Sequence, residues 1–367
     1  MNGGRRRASS GETAPTNATS RGSGVTRARP SRAVLALTAM AAAVVVTVGL
    51  LSITAPVAAH VPGFAGENTA HDRALHLENG AVSRSLYADL DRREARYYEV
   101  HLEAGEPLRA SVFTPNPGAF TPSFVVYGPA VAGSDATPEW VAVPDGMGTQ
   151  VVTGSRTDRA AFEPFTPAAY YQTAAVTIED AGPGTYWIAV YDAAGECGQV
   201  GLAVGYEEAF TPVEYLRVPI DVFRVHLWEG DTPIVLVGPV LVGVLGVGWY
   251  LRRRWGDRRP GWRPMALGFS GALLLGGALL TAIQLVGAAL AAGIQAAAIL
   301  TLAFALVPAA VGTYLSRLAA CEPLDWTARV RAKVVLAALL GLVTWGGVVL
   351  GPALALFVGL LPRGRPQ

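Results

Sequence analysis

The chain has 367 residues, 51% of them hydrophobic, and a formal net charge of only +1. The near-neutral sum weighs against a nucleic-acid-binding protein, and the apolar excess weighs against an ordinary soluble enzyme. The charge is also uneven: 24 of the 28 Asp and Glu fall between His60 and Asp231, a stretch with ten Arg and no Lys.

Residues 1–32 are rich in Gly, Ser, Thr, Ala and Arg, and read as a disordered basic cytoplasmic tail. Residues 33–59 are apolar and long enough to cross a bilayer, which takes about 20 residues. This segment has two readings, a cleaved signal peptide or a retained signal-anchor helix. Val57 and Ala59 offer small residues before a cut, whereas the basic region ahead is long for a signal peptide. Both readings export the acidic region that comes next in the chain.

Residues 60–212 form one domain-sized acidic block. Short alternating runs recur in it: Arg96–Leu102, Leu108–Phe113, Ser123–Tyr127, Tyr186–Asp192 and Gln199–Tyr206. Period-two alternation with aromatic and β-branched residues predicts strands, and the Gly, Pro, Asn and Asp clusters between them predict turns. The last two runs, joined by Ala-Ala-Gly-Glu-Cys-Gly, read as a hairpin. The expected domain is an extracytoplasmic antiparallel β-sandwich. Phe-Thr-Pro recurs at Phe113, Phe120, Phe165 and Phe210, marking strand ends because proline lacks an amide donor. A sharper reading makes an aromatic rim of Phe165, Tyr170 and Tyr171 that grips a ligand.

The runs ARYYEVHLEAGEPLRASV and GPGTYWIAVYDAAGECGQVGLAV carry a resemblance. From about Leu75 to Tyr206 the chain resembles the PPC-type (pre-peptidase C-terminal-like) β-sandwich module, a jelly-roll-like accessory domain. The resemblance implies a non-catalytic role. In such modules a Tyr-rich strand leads to a Gly turn, and a Gly-Thr-Tyr strand leads to a terminal hairpin. The typical module accompanies a secreted hydrolase, but this chain shows no protease motif. The whole layout is similar to uncharacterised archaeal membrane proteins.

Residues 213–232 read as an amphipathic elbow on the outer leaflet. Val213, Leu216, Ile220, Phe223 and Leu227 recur at helical spacing, Pro219 interrupts, and Trp228 sits where an interfacial ring belongs. In residues 233–361, apolar stretches Pro233–Leu251, Met265–Leu315 (two spans turning near Ala291 to Gly293) and Val334–Val358 predict four transmembrane helices. Glycines such as Gly243, Gly246, Gly271, Gly276 and Gly277 suit close helix packing. The fold class is therefore membrane α+β, with this four-helix tail, the sandwich and one N-terminal signal or anchor helix. Residues 362–367 are a short tail.

Basic residues set the expected orientation. Arg5 to Arg32, Arg252 to Arg263 and Arg317 to Lys333 place those segments in the cytoplasm, and the acidic domain outside the plasma membrane. Arg363 and Arg365 run against the rule. Cys197 and Cys321 then lie on opposite sides and do not pair within one chain.

No nucleophile–base set, phosphate loop or dinucleotide motif is present. The paired acids Asp89/Asp91 and Glu179/Asp180 lack calcium-loop spacing and read as solvated carboxylates. The reading is a non-enzymatic membrane-anchored binding or assembly protein of unknown ligand, with no cofactor expected. Its partners are the lipid bilayer and a membrane protein or a second copy, not nucleic acid. One alternative is a transporter or permease component. It is disfavoured because no span holds an ionisable residue. A second alternative is copper. Cleavage after Ala59 would free the His60 amine beside its ring, with His71 or His101 completing the site.

Overall fold

The computed structural model describes residues 60–321 and 324–362. The expected N-terminal helix over residues 33–59, the basic tail before it, and Arg363 and Arg365 lie outside the described residues.

Among the described residues, eleven strands build two mixed sheets. One sheet runs β1 (Val61–Phe64), β3 (Arg84–Leu90), β11 (Gly198–Val204), β5 (Leu108–Thr114), β9 (Ala168–Ile178), β8 (Ala161–Glu163). The other runs β2 (Leu75–Leu77), β4 (Ala95–Leu102), β10 (Gly184–Asp192), β6 (Pro122–Gly128), β7 (Gly148–Val152). We call them the β3 sheet and the β4 sheet. Alternation selects the face between them: Leu86 and Leu90 of β3, Tyr98, Val100 and Leu102 of β4, and Ile188 and Val190 of β10 are all buried there.

The expectation of a purely antiparallel sandwich needs correction. β1 pairs parallel with β3, and β2 pairs parallel with β4. The chain steps from sheet to sheet through its first six strands, so a strand returns to its own sheet two elements later, running the same way. The hairpin expected at residues 193–198 is likewise overturned, because β10 and β11 lie in different sheets. A buried aspartate makes the corner: the Asp192 carboxylate accepts from the amides of Ala194 (3.0 Å), Glu196 (3.1 Å) and Thr121 (3.1 Å). Gly195 takes φ 71°, which suits a residue without Cβ.

Helix α1 (Pro212–Trp228) comes directly after the last strand. The fourth Phe-Thr-Pro starts it: Thr211 caps the Glu214 amide, Glu214 reaches back to the Thr211 amide, and Pro212 occupies the first turn. Among the described residues, three helices are long and apolar enough to span a membrane: α2 (Pro233–Trp255), α3 (Trp262–Ala292) and α4 (Ala298–Ala319). Gly243 of α2 meets the backbone of Gly276 in α3, and Gly271 of α3 meets Gly312 in α4. A Cβ on Gly243 would come within 2.6 Å of α3 backbone, and one on Gly271 within 2.7 Å of α4 backbone. Gly246 faces open space instead.

The fourth span is not one helix. Residues 334–358 divide between α5 (Ala328–Val343), a 3-10 turn at Gly346–Val348 and α6 (Leu350–Leu360). Trp345, Val348 and Val349 have φ of 46°, 57° and 62°, a region costly for residues with Cβ. Gly346 packs on Pro308, and Gly347 packs on the Leu273–Leu274 backbone of α3. That close approach leaves no room for a continuous helix. Ser270 of α3 fastens the far side by donating to the Gly351 carbonyl at 2.6 Å.

Candidate functional site

The outer face of the β3 sheet meets the helices, and the space left between them is the candidate site. Tyr87, Phe113, Ala168, Tyr170 and Val225 form a buried apolar layer there. The Trp228 indole donates to the Ala88 carbonyl at 3.0 Å, and the Gln199 amide bonds the Trp228 carbonyl. Together with an Arg84–Glu214 ion pair at 3.5 Å, these contacts bind α1 along its length to the sandwich.

The buried side of α1 is not the apolar stripe. Val218, Asp221, Val225 and His226 face inward, while Val213 and Ile220 are 66% and 58% exposed. Such exposure suits a helix lying at a lipid surface.

The loop between β8 and β9 carries the third Phe-Thr-Pro into the helices. The Thr301 hydroxyl of α4 donates to the Pro164 carbonyl at 2.8 Å. The Phe165 ring lies 6.0 Å from Phe304, which meets Trp345 edge-on at 6.2 Å. The Trp345 indole donates to the Tyr215 carbonyl (3.1 Å), and the Tyr215 hydroxyl to the Leu342 carbonyl (3.1 Å). Between these fixed rings lies a cavity of about 400 Å³, walled by α1, α2, α3, the β8–β9 loop, Phe304 and Pro308 of α4, and the strained turn. Its wall is apolar except for His226, Thr281, Gln284, Thr344 and backbone; no Asp, Glu, Lys or Arg lines it. A smaller pocket of about 140 Å³ lies against the β3 sheet, lined by polar groups including Glu163, Tyr170, Ser85 and His60. Phe165 lines both.

A chain of polar groups links the two. The Tyr170 hydroxyl donates to one Glu229 oxygen, and His226 Nδ1 lies 2.7 Å from the other. Nδ1 of the His226 ring is thus engaged with Glu229, and Nε2 is the ring nitrogen left over. His226 is 2% exposed, and its Nε2 has no hydrogen-bond partner. Burial, with the nearby Tyr87 and Glu229, drives the Tyr170 phenol well above its ordinary range. Burial also pushes the Glu163 carboxyl up to about 7, against the amides of Phe165 and Thr166 that favour its anion.

His226, Glu229 and Asp231 bring one ligand-type atom each within 4.8 Å of one another, the grouping best suited to a metal among the described residues. Ligand atoms around a tetrahedral ion with bonds of about 2.1 Å sit roughly 3.4 Å apart. The 2.7 Å between His226 Nδ1 and Glu229 is a hydrogen-bond length, so the cluster closes on itself without an ion.

Of the residues singled out in the sequence, Phe165 and Tyr170 meet at this junction, each lining the smaller pocket. Tyr171 lines neither pocket; it packs against the Phe162, Ala288 and Ala292 cluster and under the Arg156 guanidinium. The three histidines of the copper reading lie apart: His60 bonds Ser83, His71 bonds Tyr127 at 2.9 Å on the other sheet, and His101 is exposed on β4. Sequence reasoning misses His226. Its signal is the spacing His226-Leu-Trp-Glu229 at the end of an amphipathic helix, which puts imidazole and carboxylate on one face.

Comparison with protein-family models and with curated proteins finds no match in either.

Proposed function

We propose that this chain is a membrane-anchored binding protein, without catalytic activity, that takes a lipophilic ligand at the membrane surface. The observation that supports this reading is the 400 Å³ apolar cavity at the junction of sandwich and helices. Its size falls in the range of small-molecule sites, roughly 300–1,000 Å³, and such sites favour domain junctions. The strained turn at Trp345–Val349 borders it, and strain of this kind concentrates at binding sites. The described spanning helices carry no ionisable residue into the cavity, which favours binding over ion-coupled transport.

In this reading the sandwich is a PPC-type accessory module on the outer side, and the basic segments after α2 and α4 face the cytoplasm. The test is native mass spectrometry of the full chain taken from membranes in mild detergent. A bound apolar species is expected, and Leu280→Trp, which fills the cavity, is expected to release it with circular dichroism unchanged. Equal retention by the filled variant would place the species elsewhere and sink the reading.

A further inference from the structure

We infer that the ligand of the cavity carries a hydroxyl group, and that His226 Nε2 is its hydrogen-bond partner; this rests on the binding reading above. The His226 ring stands in the cavity wall. Its Nδ1 is committed to Glu229, which Tyr170 holds from the other side. Rotation of the ring is therefore resisted, and Nε2 is left without a partner at 2% exposure. A buried polar atom in that state costs about 1–3 kcal/mol unless something meets it. Within the protein nothing does.

Charge selects among possible head groups. No Lys or Arg lines the cavity, and Glu229 and Asp231 stand 2.7 and 3.7 Å from the same imidazole. An anionic carboxylate or phosphate entering here would meet this negative field with only one imidazole to answer it. A plain hydrocarbon would leave Nε2 unsatisfied. A hydroxyl both donates and accepts, so it meets Nε2 whether the ring is neutral or protonated. The remaining wall of Phe165, Leu236, Leu280 and Phe304 suits an alkyl or isoprenoid chain. The ligand class is therefore a neutral lipid alcohol.

The test uses three brominated probes of one chain length on the full chain in micelles: 12-bromododecan-1-ol, 12-bromododecanoate and 1-bromododecane. Bromine quenches nearby indole, and Trp345 is the tryptophan in the cavity wall, so the Trp345→Phe variant identifies its share of the signal. The alcohol is expected to half-quench at about tenfold lower concentration than either other probe, the worth of one buried hydrogen bond. His226→Phe should bring alcohol and bromoalkane level while both still bind, and His226→Asn should restore part of the difference. If His226→Phe does not fold, the order of the three probes on the native chain still decides. Equal affinity for alcohol and bromoalkane, or tighter binding of the carboxylate, overturns the hydroxyl inference and leaves the binding reading standing. No Trp345-dependent quenching by any probe overturns both.

Discussion

The two outer faces of the sandwich present the same kind of surface and are finished in different ways. On the β4 sheet, Tyr97, Val125, Tyr127, Ala189 and Tyr191 are sealed by the chain's own connection around Val141. The Ala142 amide donates to the Tyr97 hydroxyl at 2.8 Å, and His71 meets the Tyr127 hydroxyl at 2.9 Å. On the β3 sheet, Tyr87, Phe113 and Tyr170 are covered by α1 and the membrane helices, which leave two pockets and an unpartnered imidazole nitrogen. The β4 face is closed by a loop that bonds one of the sheet's own tyrosines. The β3 face is covered by helices that leave pockets, and on the proposed reading those are where a ligand fits.

The largest test of this contrast is a pair of truncations. Tyr127 has no exposed surface, so Tyr127→Ala should cost about 3–5 kcal/mol of stability and leave probe binding intact. Phe165 already borders open space on two sides, so Phe165→Ala should cost only about 1–2 kcal/mol yet weaken binding. Denaturant unfolding in micelles measures the first quantity and Trp345 quenching the second. Equal stability losses would erase the distinction between the faces.

The next effect is a pH dependence confined to the β3 face. The Glu163 carboxyl is raised to about 7, so the folded state holds its proton more tightly than the unfolded chain does. Its favourable contribution is full below about pH 4.5 and is lost as pH rises through 7. Glu163→Gln removes the ionisable group and should therefore be more stable than the native chain above pH 7, by about 3 kcal/mol. Stability profiles of the two proteins should converge towards pH 4.5, and parallel profiles would count against a buried, proton-holding Glu163. Smallest is the cap: Thr211→Ala should cost about 1 kcal/mol and speed amide exchange in the first turn of α1 without altering the β4 face.

Much of the architecture is legible in the residues. The Tyr-rich run is β4, the Gly-Thr-Tyr run is β10, and the chain turns from α3 to α4 after Ala292, where small residues predict a turn. The illegible part depends on long-range contacts. Nothing local says that Asp192 will be buried and bond Thr121, 71 residues away, which turns an apparent hairpin into a corner between sheets. The last span reads as continuous because Thr344–Val349 is as apolar as its flanks. Only the approach of Gly347 to α3 shows that it must break. The site is half visible. Phe165 and Tyr170 stand out as aromatics, but His226 becomes significant only once the apolar stripe of α1 is seen to face outward and the His226 side inward.

Helix α3 acts as a depth gauge. Its 31 residues run about 46 Å, whereas the hydrocarbon layer is about 30 Å thick. Its far end is already committed to the sandwich, where Ala288 and Ala292 pack on Phe162, and Gln295 just beyond the helix donates to the Ala160 carbonyl at 3.2 Å. With Trp262 at the opposite membrane surface, Gly277 lies about 22 Å up the rod and Gln284 about 33 Å. On the proposed placement in the bilayer, the cavity wall between them begins within the acyl chains and ends at the head groups. On the proposed binding reading, a ligand reaches it sideways from the leaflet without passing through water. Occupancy then tracks the mole fraction of that lipid in the membrane, and its concentration in the aqueous phase has little bearing.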